Sequence, residues 1–132
     1  MQARIFLENI FAPYMTGICK AWGVSPEEGL RILIAEEATF DKIAQDNPEA
    51  LKELLNQPEI KAIASIASPL KDVSDEWMTQ KMEILFAVMT DIRPDLARVI
   101  VETPEGKAWF IDSMTGLKNM IFGKPNINIE TP

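Results

Sequence analysis

Residues 47–63 read NPEALKELLNQPEIKAI, and residues 93–109 read RPDLARVIVETPEGKAW. The two stretches align without a gap at an offset of 46. Pro48 falls on Pro94, Pro58 on Pro104, Glu59 on Glu105, Lys61 on Lys107 and Ala62 on Ala108. Proline suits the first position of a helix, where a missing N–H has no partner to lose. An acid just after it meets the positive end of the helix dipole. Each stretch therefore predicts a short helix, a tight corner and a second helix. A duplicated hairpin is one reading. Two unrelated hairpins obeying the same capping rules is the other.

The same punctuation runs through the rest of the chain. Ser25-Pro26-Glu27 has the form, and Ser74 precedes Asp75-Glu76. Gly23 and Gly123 read as helix stops. Helices are predicted over 2–22 with a bend near Pro13, then 26–45, 48–56, 58–67, 75–92, 94–102 and 104–122. Only the tail, Asn126-Ile127-Asn128-Ile129, alternates with period two. The expected fold is all-α: a compact bundle of six or seven helices in one domain over 1–123. An extended tail is expected over 124–132.

The Pro-led short helices of 47–69 resemble the arrays of short amphipathic helices in certain repeats of co-chaperones and ubiquitin-shuttle proteins. Those repeats are richer in Met and Gln than this segment. The resemblance is one of pattern and implies no function here.

Composition narrows the function classes. The chain has 132 residues, 47% of them hydrophobic and 25% charged, which is ordinary for a globular domain with a core. Twenty acids against 13 bases give a net charge of −7. Such a surface repels phosphates, and no Lys/Arg run offsets it, so nucleic acid is not an expected partner. One cysteine, Cys19, forms no internal disulfide and suits a reducing compartment. The apolar N-terminal stretch is interrupted by Arg4, Glu8 and Pro13. It falls short of the roughly 20 apolar residues a span needs, so no membrane span and a cytoplasmic location are expected.

There is no histidine. That removes His-based triads and His metal ligands. No Gly-rich phosphate loop appears, and Cys19 reads as a small buried residue. No catalytic residue, metal site or cofactor is expected.

Two apolar stripes mark the core. Met78, Met82, Leu85, Met89 and Ile92 share a face, widened by Trp77, Ile84 and Val88. Phe110, Met114, Leu117 and Ile121 form the second. The first helix is apolar nearly all round, from Ile5 to Trp22. Either it threads the centre of the bundle, or one face meets another chain. On the second reading Phe6, Phe11, Tyr14 and Trp22 are the partner-binding candidates. Ile127 and Ile129 add a tail that docks as an extended peptide.

Three charges fall on apolar stripes: Glu37 and Asp41 in 26–45, and Lys81 in 75–92. Buried, they need partners or a chemical role; a helix break near Ala38-Thr39 turns the acids to solvent instead. The expected function is a non-enzymatic helical interaction module: an adaptor, assembly factor or small subunit. It binds another protein chain, or a second copy of itself as a homodimer, through an aromatic and Met-rich surface. An acidic inhibitor or nucleic-acid mimic using Glu27, Glu28, Glu36, Asp41, Asp75 and Glu76 is the first alternative. A carrier of an apolar ligand between helices is the second.

Overall fold

A computed structural model describes residues 2–36 and 40–123, excluding the side chain of Asp41. Every regular element among these residues is helical. Helix α1 (Gln2–Phe6) runs into a π-helical turn (Leu7–Phe11) and on into α2 (Ala12–Ala21). The wide turn has a cause. Pro13 follows it, cannot donate back to the Asn9 carbonyl, and its ring crowds that oxygen. Widening the coil keeps the rod continuous, so the predicted bend becomes a π-turn.

Beyond α2 come α3 (Pro26–Ala35), α4 (Phe40–Asp46), α5 (Pro48–Asn56) and α6 (Pro58–Ile66). A 3-10 turn, Ser68–Asp72, leads to α7 (Asp75–Gln80), α8 (Met82–Ile92), α9 (Pro94–Glu102) and α10 (Gly106–Phe122). The prolines mark helix starts as expected: Pro26, Pro48, Pro58 and Pro94 each open one. Two predicted helices divide. The span 26–45 gives α3 and α4, and 75–92 gives α7 and α8, parted at Lys81. Pro104 and Glu105 form a turn rather than the first turn of α10.

Capping follows chemistry in part. Ser25 Oγ accepts from the Glu28 N–H at 3.1 Å, and Ser74 Oγ accepts from the Trp77 N–H at 3.1 Å. Asn47 precedes α5 but makes no side-chain cap, and Thr103 ends α9 instead of starting α10. Gly23 and Gly123 stop their helices with φ of 75° and 82°, where a side chain is strained.

The core gathers around the N-terminal rod and α10. Phe6, Leu7, Ile10, Phe11, Met15 and Ile18 are all at 0% exposure. The Phe11 ring meets Phe110 edge-on at 5.5 Å, and Tyr14 lies 6.3 Å from Phe40. The rod therefore threads the bundle. It touches α3, α5, α6, α8 and α10, so its all-round apolarity is satisfied inside this chain. Both predicted stripes are buried along their centres: Met78, Leu85 and Met89 on one, Phe110, Met114 and Leu117 on the other.

The aligned stretches share backbone as well as sequence. Asn47 (φ −133°, ψ 56°) matches Arg93 (φ −143°, ψ 76°). The Asn47 N–H donates to Ile43, as the Arg93 N–H does to Met89, its counterpart in register. The Ile60 N–H donates to Gln57, as the Gly106 N–H does to Thr103. The corner into α5 thus matches the corner into α9, whereas beyond that bond the second corners differ: α6 begins at Pro58, while α10 begins at Gly106, two residues past Pro104.

Candidate functional site

Burial withdraws most of the sequence-derived binding residues from the surface. Phe6 and Phe11 are at 0% exposure and Tyr14 at 2%. Phe6 and Phe11 cannot meet a partner while the chain is folded, because neighbouring helices cover them, and Tyr14 is nearly as enclosed. Trp22 alone of the four is accessible, at the rod's C-terminal end. Ile127 and Ile129 lie outside the described residues, as do Glu37 and the side chain of Asp41. The Met-rich surface is likewise mostly interior: Met15, Met78, Met89 and Met114 are buried, and Met120 is exposed. Lys81 is half-exposed at the α7–α8 junction, where its N–H donates to the Trp77 carbonyl.

A groove of about 1040 Å³ opens beside the rod instead. One wall is Asn9, Pro13, Tyr14, Gly17, Lys20 and Ala21. The opposite wall is α5, with Glu49, Ala50, Glu53 and Leu54, and α6 adds Glu59, Ile60 and Ile63. Asp46 and Asn47 close one end. Four acids thus face one base, Lys20, across an apolar floor.

Two polar atoms of this wall are buried without a hydrogen-bond partner: the Tyr14 hydroxyl and the Asn47 Nδ2. Leaving such groups unmet costs free energy. Burial pushes the Tyr14 phenol up to about 12, so it stays a protonated donor near neutral pH. Gly17 contributes space. A Cβ built there meets nothing within 4 Å. Glycine inside a helix is costly, and here no close neighbour demands it. It keeps the groove wall low.

A smaller apolar recess of about 630 Å³ lies on the other face of α5, between Ala44, Leu51, Leu55 and Met120. Among the described residues, no cluster of Cys, Asp or Glu is arranged to hold a metal ion, and no helix is long and apolar enough to cross a membrane. Cys19 is buried against α3, its thiol pointing at the Pro26 carbonyl at 3.6 Å, and burial raises its pKa. Such a thiol is a poor nucleophile.

The groove was legible only in part. Gly17 inside an apolar helix was a signal, and so was the repeat alignment. It sets Ala50 against Leu96 and Glu53 against Val99, small or charged residues against large apolar ones. What the sequence lacked was the pairing of α2 with α5, elements far apart in the chain. Comparison with protein families, with curated proteins and with solved structures finds no match for this chain.

Proposed function

We propose that this chain is a helical protein-interaction module, not an enzyme, and that it binds its partner in the groove between α2 and the α5–α6 hairpin. The observation that carries this reading is the groove wall itself: an apolar floor with an acidic rim. Protein recognition combines such features, an apolar centre with a polar edge. The binding surface thus differs from the one the aromatic residues suggested, while the class of function stays the same.

The test is to fill the groove. Gly17→Trp adds a large ring on the groove side of α2, where a Cβ meets nothing within 4 Å. Its circular dichroism spectrum and melting temperature should match the wild type or exceed it. Capture of partners from native lysate, quantified by mass spectrometry, should drop at least about tenfold, the loss of one well-packed contact of roughly 1.4 kcal/mol. An unchanged partner set would remove the basis for the reading.

The recess beside Met120 favours a second reading, carriage of an apolar ligand. Its lining is mostly apolar and open to the surface. Lipid extracted stoichiometrically from the purified chain, and lost in Leu51→Asp, would support it.

A further inference from the structure

The two copies of the helical hairpin differ in one respect. In the second copy, Leu96 and Val99 of α9 are buried. Helix α3 lies along α9, and ion pairs close the seam. Arg31 donates to both carboxylate oxygens of Glu102, at 3.0 and 3.1 Å, and Arg98 pairs with Glu27. In the first copy the equivalent positions are Ala50 and Glu53. They line the groove, with Glu53 exposed. The helix beside α5 is α2, which presents Pro13, Tyr14, Gly17, Lys20 and Ala21 to the groove. One copy carries a filled seam and the other an open one.

We infer that the open seam receives one basic amphipathic helix from a partner protein, its apolar face on Leu54 and Ile60, its Lys or Arg side chains over Glu49, Glu53 and Glu59. This rests on the reading of the groove as the binding surface. Three observations commit it to that occupant. The walls are helices, so the shape suits ridge-and-groove packing. Gly17 lets a backbone approach closely. The rim has acids at Asp46, Glu49, Glu53 and Glu59 against Lys20 alone, so complementarity calls for a cation-bearing face. Phosphate-bearing ligands meet the wrong sign.

The chain's own α3 supplies a probe. A stapled peptide of residues 25–36 carrying Glu27→Lys, Glu28→Lys and Glu36→Lys keeps the apolar face of Leu30, Leu33 and Ile34 and reverses the charge. The unmodified stapled peptide is the control. Fluorescence anisotropy with the full chain should show the basic peptide binding at least about tenfold more tightly, weakening as salt rises from about 50 to about 300 mM. Glu49→Lys with Glu53→Lys, both exposed, should cost the basic peptide at least about tenfold. Glu76→Lys with Asp112→Lys, equally exposed and outside the groove, should change it less than about twofold. No binding of the basic peptide, equal binding of both peptides, or equal effects of the two charge reversals overturns the inference. If the basic peptide fails while Gly17→Trp still abolishes partner capture, the basic helix is excluded and the groove reading stands. If Gly17→Trp alters neither, both fall.

Discussion

Lys118 is fully buried, yet it carries an ammonium group. Its Nζ donates to the Val73 carbonyl at 3.2 Å, and Asp75 is the nearby acid that favours the charge. Desolvation nonetheless wins and lowers its pKa below the ordinary 10.5. The unfolded chain then holds this proton more tightly than the folded one. Burial of the charge costs stability in full below the folded pKa, and that cost is relieved as pH rises through the folded value toward 10.5. Lys118→Met should raise stability at neutral pH by about 1–2 kcal/mol and flatten this alkaline slope, as urea denaturation across pH will show. Gly17 is the second telling residue. Gly17→Ala should stabilise the chain by about 0.5–1 kcal/mol, raising the urea midpoint with an unchanged slope, because the groove side of α2 is empty. A destabilised variant would show that some neighbour needs the gap.

Among elements, the N-terminal rod and α10 hold the others in place. Phe11 is buried against Phe110, so Phe11→Ala should cost about 3–5 kcal/mol in chemical denaturation. A partner-facing Phe11 would tolerate the change. Helix α4 crosses α10 at Gly116, where a Cβ would stand 2.5 Å from the Phe40 Cβ. Gly116→Ala should therefore lose about 1–3 kcal/mol, despite alanine's better helix propensity. Opposite signs are expected for Gly17→Ala and Gly116→Ala in one thermal-melt series, although both replace a glycine within a helix. At this scale the Pro-acid starts gave α5 and α9 their bounds to the residue. A break near Ala38-Thr39 is one reading of the 26–45 sequence, and α3 ends at Ala35 while α4 begins at Phe40. The break between α7 and α8 escaped the reading. No proline or glycine marks it, and an unbroken apolar period reads as one helix.

Among the described residues, two similar helical units, α4–α5–α6 and α8–α9–α10, pack against the rod; α3 lies along α9, while a groove stands open beside α5. Converting the open seam to the apolar character of the closed one tests that asymmetry. The double variant Ala50→Leu, Glu53→Val should place an uncovered apolar strip in the groove and self-associate in sedimentation velocity at concentrations where the wild type does not. The sequence by itself determined the all-helical class, most helix starts and which stripes are apolar, because proline geometry, capping and helical period act within a few residues. Tertiary structure alone decided that Phe6, Phe11 and Tyr14 face inward and that Gly17, Ala50 and Glu53 face one another. Period reports that a face is apolar but not what covers it, and the groove's two walls meet only when residues some thirty positions apart pack together.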